Sequence, residues 1–523
     1  MSRTRRWWIA GVGVALLVVV ALGAVVLYRW QMPRVRAQLV SILSEQLGAR
    51  VELADLQVQL GRHVHVVGSG LVLHHKTEGQ GRPPLVRIAH FTIVVPVLAI
   101  LRTPIHVDRV TLDKLEIFLP KRRPGQTPAA EAPVTNREAS ELHRALHGPS
   151  PVVIDVLRST DATLVIESSK PDRPPRTFEI HDLVLTDGAF DRPVRFTARL
   201  TNPKPRGLIK ASGQFGPWMA DEPSTSPISG SYDFADADLD TIKGIDGTLQ
   251  SVGNFSGALD KIDVKGTSAT PDFSLDIGGI PQSLSTTFVA LVDGTNGDTI
   301  LQDVVARLAD TPIAAKGGIL HTPGRKGRTV MLQATIDKGR LPDVLRLALD
   351  GKEPFMNGLL SLRTMLNLPP GDSRVVDRLE LDGEFTIDRL LFASDAVQDK
   401  VDEFSRRGRG RPTDATIQDV ASTMHGRFRL KDGVLRFPGL RFGVRGALVQ
   451  LNGYYVLRGG ALDFRGSVRL EARASQTMTG WKSVVAKAID PLLAKDGAGT
   501  VLPIKITGTA KQPKLGVEVK KIF

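Results

Sequence analysis

The run Val194-Arg195-Phe196-Thr197-Ala198-Arg199-Leu200 alternates without a break: Val194, Phe196, Ala198 and Leu200 fall on one side of an extended chain, and Arg195, Thr197 and Arg199 on the other. Successive side chains of a strand point to opposite faces, so this is a strand with one apolar and one wet face, as antiparallel sheets have. The rhythm recurs in both directions. Toward the N-terminus it appears at Val51/Leu53, Val64/Val66, Leu71/Leu73 and Leu115/Ile117/Leu119. Toward the C-terminus it appears at Ile262/Val264 and Phe273/Leu275/Ile277, then in VQLNGYYVLRGGALDFRGSVRLEA (449–472), where Leu462 and Phe464 share a face. Arg458-Gly459-Gly460 reads as a hairpin turn. Asp-Gly pairs at Asp187, Asp246, Asp293, Asp382 and Asp432 read as further turns, because both residues tolerate positive φ. Nowhere does βαβ spacing stand out. The expected fold is mainly β, an elongated antiparallel sheet with a few short amphipathic helices.

Four stretches depart from this rhythm. Ile9–Tyr28 is uncharged and free of proline, about 30 Å long as a helix, with Trp7, Trp8, Tyr28 and Trp30 at its ends. Ile9, Leu16, Leu17, Val20, Leu27 and Tyr28 are its expected membrane-anchor residues. Ala21-Leu22-Gly23 resembles a signal-peptide cleavage site, but apolar residues continue through Val25, Val26 and Leu27, which fits an uncleaved anchor. Pro33–Gly48, Leu341–Leu349 and Gly480–Ala494 have helical spacing. The expected regions are 1–32 (cytoplasmic tip and membrane anchor), 33–120 (helix and strands), 121–151 (proline-rich linker, with a short helix over Glu138–Leu146), 152–340 (central strands), 341–425 (helix, loop and strands) and 426–523 (closing strands and amphipathic helix).

Composition narrows the chemistry. The 523 residues include no cysteine, which removes disulfides, thiolate metal sites and cysteine nucleophiles. A net charge of +13 favours anionic partners, and with an anchor in place a lipid surface is favoured over nucleic acid. G-x-S-x-G, G-x-x-x-x-G-K-[ST] and H-E-x-x-H are all missing from the chain. Asp236, Asp238 and Asp240 begin like a calcium loop, yet Thr241 and Gly247 stand where Gly and Glu are required. His63, His65, His74 and His75 read as exposed strand histidines rather than zinc ligands. The basic runs Lys121–Arg123 and Arg406–Arg411 read as solvated loops, with phosphate headgroups as the alternative.

The order of motifs resembles the AsmA-like family of bacterial envelope proteins. The resemblance rests on a single anchor followed by LGARVELADL (47–56) and VRIAHFTIVVPVLAILRTPIHVDRVTLDKLEIFLP (86–120). It continues in GRFRLKDGVLRF (426–437), LNGYYVLRGGALDFRG (451–466), the helix at 480–497 and LPIKITGTAKQP (502–513). Each motif is short and marked by glycine; their order is the specific part. The resemblance implies a protein anchored in the bacterial inner membrane, its bulk in the periplasm, forming a β-groove with an apolar interior. It also implies a part in phospholipid transport and outer-membrane assembly, with no catalytic residues and no cofactor.

A groove answers a physical need. Two acyl chains expose roughly thirty methylenes, and leaving them in water costs about 25 kcal/mol at about 0.8 kcal/mol each. Alternation alone fits a closed sandwich as well as a groove; the resemblance favours the groove. The expected lining residues are Val194, Phe196, Ala198, Leu200, Phe273, Leu275, Ile277, Leu462 and Phe464. Expected partners are a phospholipid or other envelope lipid, the inner membrane, and outer-membrane or envelope proteins, not nucleic acid. The alternative is a non-enzymatic scaffold of β-sandwich domains that binds a protein of the envelope.

Overall fold

A computed structural model describes residues 50–74, 84–119, 152–166, 176–189 and 192–517, apart from 218, 220–222, 277–278, 323–324, 326, 350–352, 478–498 and 510–511. Isolated positions are described at 37, 40, 41 and 44, all helical, at 140, 141 and 144, also helical, and at 150. The anchor residues Ile9 to Tyr28 and the helix at Gly480–Ala494 lie outside the described residues. Among the described residues no helix is long and apolar enough to cross a membrane.

Alternation does dictate strands. The first part of the chain forms β1 (Arg50–Gln59), β2 (His63–His74), β3 (Val86–Pro96), β4 (Ile105–Leu119), β5 (Val152–Ile166) and β6 (Arg176–Ala189). The middle forms β7 (Val194–Pro203), β8 (Arg206–Phe215), β9 (Pro227–Asp238), the two-residue β10 (Ile245–Asp246), β11 (Thr248–Ala258), β12 (Lys261–Leu275), β13 (Gln282–Val292), β14 (Thr299–Leu308), β15 (Thr311–His321) and β16 (Arg328–Arg340). The last part forms β17 (Met356–Leu368), β18 (Glu380–Phe392), β19 (Ser422–Lys431), β20 (Val434–Val444), β21 (Ala447–Val456), β22 (Ala461–Leu470), β23 (Thr500–Thr509) and β24 (Gln512–Val517). Helix α1 is Leu341–Ala348 and α2 is Asp395–Gly408.

Twenty-three of these strands make one long, largely antiparallel sheet. Each pairs with the next in chain order, and β10 stands aside, pairing only with the end of β12. Strand pairing is continuous across the interval 121–151 and the expected boundaries at 340 and 425: β4 pairs with β5, β16 with β17 and β18 with β19. The boundary at 32 lies outside the described residues. One pairing corrects the antiparallel expectation. β4 and β5 run parallel, Ile105 beside Val152 through Leu119 beside Ile166. A parallel neighbour requires a crossover of a dozen or more residues, and the proline-rich interval 120–151, with helical positions at 140, 141 and 144, supplies it. Periodicity sees strands but not their direction.

Turns follow the sequence in part. Asp432-Gly433 makes a tight hairpin with φ of 52° and 70°, and 457–460 makes another, as expected. Asp293-Gly294 also lies in a connection, and Asp246-Gly247 sits at the end of the two-residue β10. Asp187-Gly188 and Asp382-Gly383 do not: they sit inside β6 and β18. At Asp187 the positive φ of 56° kinks β6 within its pairing to β5, and Gly383 leaves room for a neighbouring ring.

Two cores anchor the sheet. Leu53, Leu56, Ile88, Phe91, Val110, Leu112, Leu115 and Ile180 are buried together, with Val40 of the N-terminal helical positions packed against them. The second gathers Ile336, Leu360, Ile387 and the fully buried Leu390 beneath Leu341, Val344 and Leu345 of α1. Buried polar groups pin both helices. The Asp343 carboxylate accepts from Thr311 Oγ1 at 2.9 Å and from the Asp310 amide at 3.3 Å, while Gln282 Nε2 donates to the Asp343 carbonyl at 2.6 Å. In α2, Asp402 accepts from the amides of Asp419 and Val420 and from Gln398 Nε2, each at 2.9 Å. Removing such an acceptor strands buried donors. Asp402→Ala should cost about 3 kcal/mol of stability, measured as a lower urea midpoint by circular dichroism; an unchanged midpoint would show the network to be idle.

Candidate functional site

The site is a face, built one register step at a time. Tracing Cα partners from Phe196 gives an unbroken row: Gly213, Gly230, Phe255, Val264, Ala290, Leu301, Gly317 and Leu332. It continues through Leu366, Leu381, Leu430, Leu435, Tyr455, Leu462 and Gly508. Its parallel rows are of the same kind, for example Ile209 beside Phe234 and Phe464 beside Ile506. From β7 to β23, β10 excepted, the residues in phase with this row include no Asp, Glu or Lys. The one charge is at a strand-end pair, His321 beside Arg328, and Arg328 is held by Asp298 at 2.6 Å. The opposite face carries Arg195, Arg199, Lys210, Asp233, Lys265, Arg307 and Lys316.

Burial separates the two faces. Val194, Phe196, Leu200, Phe234, Phe255, Phe288, Leu332, Phe385, Phe428 and Phe464 are half-buried, whereas Val252, Val305 and Met365, which point the other way, are 52%, 57% and 67% exposed. The apolar face is thus shielded more than its opposite without being sealed like the two cores.

Phenylalanine and glycine divide this face between them. Phe91 lies opposite Gly68, Phe196 opposite Gly213, Phe255 opposite Gly230, Phe288 opposite Gly266, Phe428 opposite Gly383 and Phe464 opposite Gly453. A Cβ on Gly68 would sit 2.2 Å from the Phe91 ring, one on Gly383 2.9 Å from the Phe428 ring, and one on Gly453 2.6 Å from the Phe464 ring. A ring over a glycine lies down on the strand instead of standing up from it. Phe385, Phe428, Phe437 and Phe464 form a chain of such rings with centroids 5.9–6.5 Å apart. A band of hydroxyls crosses the face at β9–β13: Tyr232 Oη lies 3.1 Å from Ser251 Oγ, and Ser268 Oγ 2.7 Å from Thr286 Oγ1. Burial raises the Tyr232 phenol above its ordinary range against the opposing hydrogen bond with Ser251, so it is neutral at physiological pH.

Seven of the nine expected lining residues lie on this face: Val194, Phe196, Ala198, Leu200, Leu462 and Phe464 directly, and Phe273 after a register shift. Phe273 rejoins it beside Gln282 after a register shift following Thr270, and Leu275 pairs with Ile245 outside the main ladder. Ile277 lies outside the described residues. Sequence reading missed Phe255, Phe288, Phe385, Phe428 and Phe437. The signal was present as glycines in phase with the apolar positions, as in Gly426-Arg427-Phe428.

The other candidates have ordinary partners. His63 lies 3.8 Å from Asp108 and His74 3.4 Å from Glu52, and no three potential ligands gather among the described residues. Asp238 caps a short 3-10 turn by accepting from the Asp240 amide. Arg406–Arg411 straddles the end of α2, with Arg409–Arg411 in the turn that follows: Arg406 donates to the Ile417 carbonyl at 2.8 Å, and Arg407 pairs with Glu403 at 2.7 Å. Lys121–Arg123 and His75 lie outside the described residues.

Fold and site together define a single-sheet β protein with one half-shielded face nearly free of charge. No protein family, curated protein or solved structure matches this chain.

Gly383→Ala should drive a methyl against the Phe428 ring and the Arg363 carbonyl, 2.4 Å from where its Cβ would stand. Overpacking of this kind costs about 1–3 kcal/mol. Pairing the change with Phe428→Leu should recover part of the loss in a double-mutant cycle. Additive losses would show that ring and glycine are independent.

Proposed function

We propose that this protein is anchored in the bacterial inner membrane by Ile9–Tyr28, stands in the periplasm, and carries lipid acyl chains along its apolar face. In this reading the sheet curls with that face inward as a groove, and the protein assists phospholipid transport and outer-membrane assembly without catalysing a reaction. One observation carries the proposal: the row from Phe196 to Gly508 and its neighbours hold no Asp, Glu or Lys, and their single Arg, Arg328 at a strand end, is paired with Asp298. A buried charge against hydrocarbon costs several kcal/mol, so a path meant for acyl chains must exclude it over its whole length.

Two further features support it. At roughly 4.8 Å per strand, twenty-three strands provide a path of about 110 Å, many times the length of one acyl chain. Phe rings lying over glycines keep the floor low while still offering aromatic surface, and no ring needs a polar partner. The resemblance of the motif order to the AsmA-like family points to the same activity.

The test uses the full chain in cells, with a photoreactive amino acid in place of Phe196, Phe255 or Phe464, and in place of Thr197 on the other face. Lipid adducts, identified by mass spectrometry, are expected at the first three positions and should be at least several-fold weaker at 197. Phe196→Asp together with Phe464→Asp should reduce adducts at 255 several-fold while circular dichroism stays β. Protein adducts in place of lipid at the apolar positions would support the scaffold reading and overturn this one.

A further inference from the structure

The polar face of β16–β20 holds an open valley of about 840 Å³ whose walls include Arg363, Arg427 and Arg441. Register sets the arrangement. Glu384 stands opposite both Arg363 and Arg427, and His425 stands opposite Arg441. Two and four residues further along the same strands the cations are neutralised. Arg429 pairs with Asp382 at 2.6 Å and Lys431 with Glu380 at 3.0 Å. That second pair is tight enough to hold Glu380 below its ordinary range, first through the Asn367 hydrogen bond and then through Lys431, and to hold Lys431 above its own through Glu380.

The valley arginines differ. Among the described residues, no hydrogen bond or ion pair reaches the guanidinium of Arg363, Arg427 or Arg441, although Glu384 is the cross-strand neighbour of two of them. Asp337 also lines the valley, so three guanidinium groups face two carboxylates there, with no ion pair formed between them among the described residues, and the valley keeps an excess of positive charge. Each guanidinium presents a planar fork matched to two oxygens of one oxyanion. Ser361 and Thr386, half-buried in the same valley, offer hydroxyl donors between them.

We propose that this valley binds a phosphate-bearing molecule, with Arg363, Arg427 and Arg441 as its ligands. It lies on the opposite side of the sheet from the apolar face, so the bound phosphate belongs to a molecule approaching from outside. The shared chemistry is a phosphate group, carried either by a headgroup in a membrane surface or by a free phosphate compound. Glu384 gives the site a built-in sign: it opposes the anion, and its neutral isostere binds more tightly.

The experiment titrates the full chain with inorganic pyrophosphate at low ionic strength, and separately measures its association with phosphatidylcholine vesicles with and without phosphatidylglycerol. The triple variant R363Q/R427Q/R441Q should bind pyrophosphate at least tenfold more weakly than the native chain. Glu384→Gln should bind it at least threefold more tightly, and R429Q/K431Q should change it less than twofold. Loss of association by the triple variant with phosphatidylglycerol vesicles alone would assign the phosphate to a membrane headgroup. Unchanged vesicle association beside weakened pyrophosphate binding would assign it to a free phosphate compound. If the triple variant matches the native chain with both probes, the proposal is overturned.

Discussion

A one-residue slip in a strand moves every side chain beyond it to the other face. In this chain that constraint is applied at every step from β7 to β23, because each strand takes its register from the last. The sheet does not avoid irregularity. Register shifts occur between Thr270 and Phe273, Leu301 and Val304, Ile336 and Gly339, and Ile387 and Leu390. Each shift is absorbed locally, and the apolar side chains resume on the same side. Positive φ at Lys338 and Arg389 shows where the extra residue is taken up. The nearly uncharged face is therefore a property of the whole ladder and of no single strand.

The two long edges of the sheet are unlike. Connections alternate between them, and those from β16 to β17 and β18 to β19 contain α1 and α2, with buried Asp343 and Asp402 fastening them. The opposite edge is closed by tight turns such as Asp432-Gly433. Helices thus shelter one margin of the apolar face at Ile336, Leu360 and Leu390, while the other margin has only shorter connections, among them the single helical turn Val375–Arg378. The half-burial of the phenylalanines between them follows from lying beside such a margin rather than beneath a second layer.

Much of this was legible in the sequence because period two is a strong signal when it persists. Val194 to Leu200 and Leu462/Phe464 stand where alternation placed them, and α1 begins at Leu341 as its spacing predicted. The parallel β4–β5 pair was not legible, since strand direction depends on a connection whose own pattern is only polar and proline-rich. Asp382-Gly383 misled because the pair serves a turn at 432 and a ring at 428 equally well. Glycine reports a need for space, and only the partner strand says which need. The valley arginines were hidden for a related reason: Arg363, Arg427 and Arg441 are nearly eighty residues apart at the extremes, and only cross-strand register brings them together.

Pairing in strict chain order has an evolutionary side. Because each strand touches chiefly its predecessor and successor, a hairpin of two strands can be gained or lost without rerouting any other connection. Such a change lengthens or shortens the sheet by roughly 10 Å and returns the chain to the same edge. Losing a single strand is different: every later connection would change sides, carrying α1 and α2 to the wrong margin. Length in this architecture is free to drift in pairs and held against drifting by one.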